Sequence, residues 1–547
     1  MRILSLLLLL LLTAGPELAQ AQILDSTQAA RIRNKKPKRE YDLPDPKPFA
    51  EGIRAEDLRP LVQVLASDSL EGRETGKPGQ RKAANFIAQQ FKALNLPTAA
   101  DRNTYFQAIH LQRESWKTIS LRVGEQEFKN RTDFYVFPND NPSTPQLDIK
   151  ELVFVGYGVQ DSAYNDYDKV DIKGKAVLMY DGEPMDASGK SLITKTEFRS
   201  PWSLDWKRKV RLAQQKGAVM VFIIDPKFSE NIKNNRRQTS TYGWKPTDGS
   251  TTVKPVDLVN SMFVSPDVAT AMLGKKAGKA EEALSELRNG EKFKAVKLKS
   301  KITVNMDKEI KTLEGSNVIG LIEGSDPNLK NEYVFITAHY DHLGIPDSTV
   351  IYYGADDNAS GTAGVIEIAR AFAEAKRKGV GPKRSVVCML VSGEEKGLLG
   401  SSFYVQFPIF PLKNTVVDVN IDMIGRIDDR HAGNPNYIYV IGADRLSSDL
   451  HAINEQANKD YTQLELDYKY NDPADKNRYY ERSDHYNFAE RGIPAIFYFN
   501  GTHADYHKPT DTADKIDYNA LAKRAQLAFH TAWEIANRPW RLPVDKK

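Results

Sequence analysis

From about residue 295 the chain alternates short apolar runs with loops and helical segments. The runs, rich in β-branched residues, are KITVNM, NVIGLIEG, EYVFITAHY, SVVCMLVS, TVVDVNIDMIG, YIYVIG and IPAIFYFN. A long amphipathic stretch, GTAGVIEIARAFAEAKRKG, lies between two of them. Buried parallel strands are near-continuous hydrophobic runs, and strands that alternate with helices form α/β sheets. The sequence therefore predicts an α/β fold with a mixed, mostly parallel sheet flanked by helices.

The region before residue 295 has a different texture. Apolar residues at three- and four-residue spacing predict a helix over Pro78–Leu94. From about Ser115 to Phe293, short strand-like runs alternate with polar loops, and this block contains no histidine, which argues against metal chemistry there. A chain of 547 residues is too long for one ordinary domain. We expect residues 54–114 and 295–547 to form one domain, into which residues 115–294 are inserted as a smaller β-rich domain.

The amino-terminal sequence predicts export. It reads MRILSLLLLLLLTAGPELAQA, so residues 1–21 have the charge, apolar run and small-residue site of a signal peptide, with cleavage after Ala21. An uncleaved anchor is the alternative, although the apolar run is shorter than the roughly 20 residues that span a bilayer. Residues 22–53 form a basic lead-in that we expect to be flexible. Cys388 is the only cysteine, so the exported protein has no internal disulfide.

Ligand-type side chains follow five segments of the predicted sheet. In chain order they are His339, Asp341, His342, Asp356, Asp357, Glu394, Glu395, Asp422, His503 and His507. Taken alone, each of these residues has an ordinary structural explanation. A histidine at a strand end is often a hydrogen-bonded structural residue, and an acidic pair often belongs to a turn or a helix cap. Together they lie where open α/β sheets bind ligands, at the carboxyl ends of strands. Histidines with carboxylates favour a divalent cation, and zinc is the expected ion.

The mixture of ligands fits the generation of a nucleophile from water. A divalent ion lowers the pKa of bound water from about 15.7 to about 7, and two ions about 3.5–4 Å apart can share one hydroxide. Such a centre needs a bridging carboxylate, further ligands on each ion, and a free carboxylate that takes the proton. The adjacent Glu394 and Glu395 suit this division, because one can bind metal while the other faces the water.

The motifs AHYDH, GADDNASG, SGEEKGLLGS, NIDMIG and YHKPTDT, in this order, resemble the co-catalytic zinc aminopeptidase family. That family includes secreted bacterial leucine aminopeptidases, glutamate carboxypeptidases and glutaminyl cyclases. The resemblance covers roughly residues 54–114 and 295–540. It implies two Zn²⁺ per chain, held by His339, Asp357 as the bridge, Glu395, Asp422 and His507.

The same resemblance implies catalytic roles for three further side chains. Glu394 would be the general base, Asp341 would hold the far ring nitrogen of His339, and Tyr506 would donate to the oxyanion. The implied protein is an exported zinc exopeptidase, periplasmic or secreted, that removes amino-terminal residues from peptides. The alternatives are a glutamate-carboxypeptidase-like dipeptidase, a glutaminyl-cyclase-like enzyme with one zinc, and a non-catalytic receptor-like relative. In the first alternative, Arg482 is the candidate residue for binding the carboxylate of the substrate.

Partners follow from the same interpretation. We expect peptide substrates, no nucleic acid, and no membrane span after signal cleavage. The net charge of +4 by itself argues neither for nor against a nucleic-acid partner. The oligomeric state stays open. The block VFVGYGVQDSAYNDYDKVDIKGKAVLMYDGEP, followed by AQQKGAVMVFIID, is similar to the protease-associated domain. Such an insert would shape access to the cleft, bind partners or serve as a spacer.

Several nearby residues have two interpretations each. The family resemblance makes the loop with Ser483, Asp484 and His485 a wall of the substrate pocket, while a structural role for His485 is the alternative. His342 and His503 are candidates for bracing the site. Asp511 either orients His507 or marks a helix N-terminus.

Overall fold

The structure is a computed structural model that describes residues 41–98, 103–235, 239, 243–249, 256–289, 291–347 and 349–546. The predicted signal peptide and most of the basic lead-in lie outside the described residues. Within the described part of the chain, no helix has the length and apolar character needed to cross a membrane.

The helices and strands are numbered here in chain order. The helices are α1 (Lys47–Ala50), α2 (Ala55–Leu65), α3 (Pro78–Ala93), α4 (Pro201–Leu204), α5 (Trp206–Gln215), α6 (Phe228–Asn234), α7 (Pro266–Leu273), α8 (Ala277–Arg288), α9 (Gly361–Arg377), α10 (Leu399–Gln406), α11 (Ser448–Ala457), α12 (His485–Ala489) and α13 (Tyr518–Asn537). The strands are β1 (Phe106–Val123), β2 (Gln126–Phe128), β3 (Phe134–Tyr135), β4 (Thr144–Phe154), β5 (Ala176–Tyr180), β6 (Met220–Ile224), β7 (Lys245–Thr247), β8 (Ser261–Val264), β9 (Val296–Ile322), β10 (Tyr333–His339), β11 (Ser385–Val391), β12 (Thr415–Ile421), β13 (Tyr437–Ile441), β14 (Glu465–Asp467) and β15 (Ala495–Phe499).

The carboxy-terminal half contains the predicted α/β sheet. Its strands lie in the order β14-β13-β15-β12-β10-β11, followed by β9. Four of the five neighbouring pairs from β14 to β11 are parallel, and only β13 and β15 are antiparallel. The predicted fold class, a mixed and mostly parallel sheet flanked by helices, is therefore confirmed.

Alternate residues of the central strands enter two different cores. In β11, Val386, Cys388 and Leu390 pack into the larger core, whereas Val387 and Met389 face the opposite side of the sheet. Helices α9 and α13 belong to the larger core, and α10 and α12 contribute to the opposite one. Because side chains alternate between the two faces of a strand, a run that is apolar throughout is buried on both sides.

The middle block contains its own parallel strands. β4, β5, β6 and β8 are parallel neighbours, with separate apolar clusters on their two faces. The runs KITVNM and NVIGLIEG predict two strands, but both lie in the single strand β9, which is paired with β1 from Ile302 to Val318. The predicted boundary between residues 114 and 115 lies inside β1. The division into a domain and an insert stays a prediction.

The parallel strands bring their carboxyl ends to one edge of the sheet. β10 lies between β11 and β12, with His339 opposite Val391, and β15 lies beyond β12. The loops after these strands therefore begin side by side. This edge carries the candidate site.

Candidate metal centre

The first group of candidate ligands surrounds His339 at the end of β10. Its Nε2 lies 3.2 Å from Asp422 Oδ1 and 3.3 Å from Asp357 Oδ1. All three residues are buried and could together hold one metal ion. They come from three different segments, so only the folded sheet brings them together.

The second group surrounds His507 on the loop after β15. Its Nε2 lies 3.0 Å from Asp357 Oδ2 and 3.3 Å from Glu395 Oε2. Asp357 thus presents one oxygen to each histidine, His339 and His507. The five residues predicted as metal ligands therefore converge around this one carboxylate.

The spacing of these atoms fits zinc. Ligand atoms about 2.0–2.1 Å from a tetrahedral zinc ion are about 3.3 Å from one another. The four contacts within the two groups span 3.0–3.3 Å, and the donors are imidazole nitrogens and carboxylate oxygens. The residues present therefore fit zinc, and Asp357 belongs to both groups.

The adjacent Asp356 has a structural role instead. Its Oδ1 accepts hydrogen bonds from Gly425 N (2.7 Å) and Ser360 Oγ (3.1 Å). Its Oδ2 accepts one from Asn500 Nδ2 and lies 3.2 Å from His503 Nε2. The two oxygens of Asp356 are thus already engaged, whereas those of Asp357 face the histidines. His503 braces Asp356 rather than a candidate ligand.

Asp341 was predicted to hold the far ring nitrogen of His339. The nearest Asp341 atom to that nitrogen, Nδ1, is the main-chain oxygen at 3.2 Å, with the carboxylate at 3.7 Å. The carboxylate accepts from Thr75 Oγ1 at 2.7 Å and from the Glu394 main-chain N at 3.3 Å. Asp341 thus fixes the start of the Glu394 loop as well as approaching His339. Thr75 was not anticipated, because it lies more than 250 positions earlier in the chain.

Asp422 and the Asp357 loop are each held by a further side chain. Ser483 Oγ donates to Asp422 Oδ2 at 2.7 Å. Asp511 accepts from the main-chain N–H groups of Asp356 and Asp357, at 3.0 and 3.1 Å. The Asp511 carboxylate therefore supports the loop that carries Asp357, while its orienting of His507 stays a prediction.

The two adjacent glutamates have opposite electrostatic environments. Burial, with repulsion from Asp357, would raise the pKa of Glu395, but hydrogen bonds from His342 and His507 hold the pKa below its ordinary value. Burial raises the pKa of Glu394 well above its ordinary value, with partial relief from His339 and further repulsion from Glu395. Glu395 is thus suited to binding a cation and Glu394 to accepting a proton.

A small open pocket, with a volume of about 30 Å³, lies beside the metal-ligand candidates. Glu394 and Tyr506 line it together with Asp357, Asp422 and His507, and its apolar wall is formed by Met423, Tyr479, Phe497 and Phe499. The Arg482 guanidinium also lines the pocket and donates to Tyr506 Oη at 3.2 Å. Burial raises the pKa of Tyr506, which keeps its hydroxyl protonated and able to donate.

Two residues contribute more than the sequence suggested. His342 Nδ1 lies 2.8 Å from Glu395 Oε1, and Arg73 donates to several main-chain carbonyls beneath the site. His342 was a candidate for bracing, and its position one residue after Asp341 was the available signal. Nothing local marked Arg73 as part of the site, because three of its four carbonyl partners lie more than 260 positions away.

Part of the carboxy-terminal half is similar to a known family. Residues 317–532 match Peptidase family M28. A probable zinc metalloprotease of Pyrenophora teres f. teres (strain 0-1) is 29% identical over 266 residues, covering 41% of this chain and 52% of that protein. Aminopeptidase YwaD of Bacillus subtilis (strain 168) is 26% identical over 250 residues, covering 42% and 47%. The chain spans about half the length of the curated relatives that it matches.

Solved structures give a weaker similarity over more of the chain. An aminopeptidase from Aneurinibacillus sp. strain AM-1 has a TM-score of 0.46 at 21% identity, covering 92% of this chain and 98% of that one. BSAP, a zinc aminopeptidase from Bacillus subtilis, has a TM-score of 0.43 at 19% identity, covering 93% and 100%. Both scores are below 0.5, so the assignment rests on the sequence match. Residues 317–532, which carry all five candidate metal ligands, are thus similar to peptidase family M28.

Proposed function

We propose that the protein is an exported, zinc-dependent exopeptidase that removes amino-terminal residues from peptides. The observation that carries the proposal is the position of Asp357, whose two oxygens lie 3.3 Å and 3.0 Å from the ring nitrogens of His339 and His507. Bound zinc would polarise water and the peptide carbonyl as a Lewis acid. The names of the relatives, a zinc metalloprotease and an aminopeptidase, support the same activity.

The chain's own residues divide the work around that chemistry. Glu394 lies in the pocket with a raised pKa, so its carboxylate can take a proton from the attacking water and give it to the leaving amine. The Tyr506 hydroxyl, oriented by Arg482, can donate to the carbonyl oxygen as negative charge develops there. The apolar wall of the pocket would hold the side chain of the residue that is removed.

The test of Glu394 compares Glu394→Gln with the wild-type enzyme. We expect both zinc ions to be retained and kcat on aminoacyl chromogenic substrates to fall by at least about 100-fold, since a general base contributes about 10²–10⁴-fold. Glu374→Gln is the matched control, because Glu374 lies on α9 and pairs with Lys378 at 2.8 Å. Near-normal kcat in a Glu394→Gln enzyme with two zinc ions would remove Glu394 from the base role.

Arg482 supports a second candidate function. Its exposed guanidinium lines the pocket and could bind a substrate carboxylate, as a dipeptidase with carboxypeptidase specificity requires. A glutamate carboxypeptidase 2 homolog of Caenorhabditis briggsae is 34% identical over 126 residues, covering 23% of this chain and 15% of that protein. A pair of peptides that differ only by a blocked amino terminus separates the two: the proposed aminopeptidase cleaves the free peptide alone.

The export and domain proposals have their own tests. We propose that residues 1–21 are removed on export to the periplasm or the medium, so sequencing of the mature protein should begin at Gln22. Retention of Met1 on the exported protein would favour the uncleaved anchor.

The protease-associated character of residues 115–294 is part of the same proposal. A deletion of residues 124–295, which keeps the paired strands β1 and β9, should leave zinc binding intact and change the activity on long peptides more than on aminoacyl chromogenic substrates.

A further inference from the structure

His342 lies behind the candidate ligand Glu395. The ring of His342 is buried, and its Nδ1 lies 2.8 Å from Glu395 Oε1. The other oxygen of the same carboxylate, Oε2, lies 3.3 Å from His507 Nε2. Glu395 is therefore held between two imidazoles, one at each oxygen.

The distances distinguish a hydrogen bond from a shared metal. His342 Nδ1 is 3.9 Å from Asp357 Oδ2, the other oxygen of that half of the centre. His507 Nε2 is 3.0 Å and 3.3 Å from its two carboxylates, as two ligands of one tetrahedral ion would be. The 2.8 Å contact of His342 is the length of a charge-assisted N–H···O hydrogen bond. Proximity alone groups His342 with Asp357 and Glu395 as possible ligands, but these distances favour a donor to Glu395.

The other ring nitrogen supports the same proton position. His342 Nε2 is buried and has no hydrogen-bond partner among the residues that the structure describes. A buried N–H without an acceptor is destabilising, whereas an unprotonated ring nitrogen leaves no donor unsatisfied. The proton of a neutral His342 therefore belongs on Nδ1, where it is donated to Glu395.

The surrounding backbone fixes the orientation of the ring. Gly354 has a φ of +56°, and a Cβ at that position would lie 2.5 Å from the His342 ring. The buried Arg73 donates to Tyr340 O at 2.7 Å and to Gly354 O at 2.9 Å, so it ties the segment before His342 to the segment against its ring. The space that Gly354 leaves and the clamp that Arg73 provides hold the imidazole in one position.

We propose that His342 is a positioning residue for the metal centre: its Nδ1–H fixes Glu395 so that Oε2 points toward the ion shared with Asp357 and His507. This inference rests on the proposed two-zinc function. Outer hydrogen-bond partners of metal ligands restrict the ligand's orientation, and their loss typically costs about 10–100-fold in metal affinity. We expect that loss at the Glu395 half of the centre and little change at the His339 half.

The test compares His342→Asn with His342→Gln and His342→Leu. The Asn amide nitrogen stands near the position of Nδ1, the Gln amide nitrogen near that of Nε2, and Leu has no donor. Zinc affinities of both sites are measured by competition with a chromophoric chelator, and occupancy by Co²⁺ absorption. We expect the affinity of the site that contains Glu395 to fall about 10–100-fold in His342→Leu and His342→Gln, with His342→Asn closer to wild type.

The matched control is a histidine outside the candidate site. His451→Leu places the same substitution on α11, where the ring contacts Tyr468, and should leave both affinities unchanged. Equal zinc affinity in His342→Asn and His342→Gln, or wild-type affinity at both sites in a folded His342→Leu, overturns the positioning role. If either result is obtained while the wild-type enzyme binds zinc at two sites and cleaves peptides, the proposed function still stands. A wild-type chain that binds no zinc overturns the proposed function itself.

Discussion

At the scale of single residues, the environment assigns different roles to chemically identical neighbours. Asp356 is saturated by main-chain and side-chain donors, whereas Asp357 presents both oxygens to imidazoles. Glu394 has a raised pKa and Glu395 a lowered one, although they are consecutive. Pairs of titratable groups whose pKa values are pushed apart are typical of catalytic sites.

His485 provides a prediction about pH at this scale. Its ring is fully buried against Phe497 and Tyr480, and burial, offset only slightly by the Tyr480 main chain, lowers its pKa to about 3. The unfolded chain has a histidine pKa of about 6.5 and so binds this proton more readily. The stability contribution is therefore present above about pH 6.5 and lost as the pH falls toward 3.

Between pH 7.5 and pH 5.5, His485 alone should lower the free energy of unfolding by about 1.4 kcal/mol. Guanidinium denaturation of wild type and His485→Phe at both pH values measures it, because the aromatic variant cannot be protonated. Other groups contribute equally to both proteins, so the difference between their pH dependences isolates this ring. Identical pH dependences would show that the pKa of His485 is the same in the folded and unfolded protein.

At the scale of elements, the loop between β10 and α9 depends on a carboxylate far along the chain. Asp511 accepts hydrogen bonds from the main-chain N–H groups of Asp356 and Asp357. Asp511→Ala leaves these two buried donors without an acceptor, so we expect the free energy of unfolding to fall by at least about 2 kcal/mol and zinc affinity to fall with it. Chemical denaturation and zinc titration measure the two effects.

Two variants control the Asp511 prediction. Asp511→Asn keeps one acceptor oxygen and should lose less stability than Asp511→Ala. Asp514→Ala removes an exposed carboxylate three residues later and should be near neutral. If Asp511→Ala matched Asp514→Ala in stability, the hydrogen bonds to the Asp357 loop would not support it.

Gly354 gives a second prediction for the same loop. A Cβ there would lie 2.1 Å from the Asp357 carbonyl oxygen, so the backbone beside the candidate bridging ligand would have to move. We expect Gly354→Ala to lower both the stability and the zinc affinity. Gly379→Ala is the matched control, because Gly379 also has a positive φ (+75°) but has nothing within 4 Å of its Cβ position.

Both glycine variants carry the strain of a side chain at positive φ, which costs about 1 kcal/mol. The excess loss in Gly354→Ala therefore reports the contacts around the loop. Equal losses in stability and unchanged zinc affinity in both variants would mean that the loop tolerates the added carbon.

At the scale of the whole molecule, the candidate metal centre joins distant segments. His339, Asp357, Glu395, Asp422 and His507 come from five loops or strand ends that meet at one sheet edge. An ion that binds the folded chain and not the unfolded one stabilises it by mass action, by about 4.1 kcal/mol at a free concentration 1,000 times its Kd. We therefore expect a chelator to lower the melting temperature and added zinc to restore it.

Differential scanning calorimetry of the zinc-loaded, chelated and zinc-restored protein measures this linkage. In Asp357→Asn, which weakens the shared ligand of both groups, the chelator should change the melting temperature much less. A wild-type protein whose melting temperature is the same with and without chelator would contradict a resident metal.

The difference between what could and could not be predicted has a physical origin. Apolar runs such as SVVCMLVS mark buried strands because the burial of both sheet faces is written into consecutive residues, and the carboxyl ends of parallel strands meet at one edge by topology. The α/β class and the clustering of ligand-type residues could therefore be read from the chain. The single strand β9 could not, because its continuity depends on pairing with β1, which lies about 190 positions earlier.

The amino-acid order alone thus determined which chemical groups stand at the sheet edge and which strands place them there, since both depend on local patterns of polarity. Only the tertiary structure decided which atom faces which: that Asp357 and not Asp356 presents its oxygens to the histidines, that Asp511 supports the Asp357 loop, and that His342 donates to Glu395. These choices depend on side-chain orientation and on donors such as Arg73 that reach across more than 260 positions. Hydrogen bonds act over about 3 Å in space, and no local pattern records which distant atoms will come within that distance.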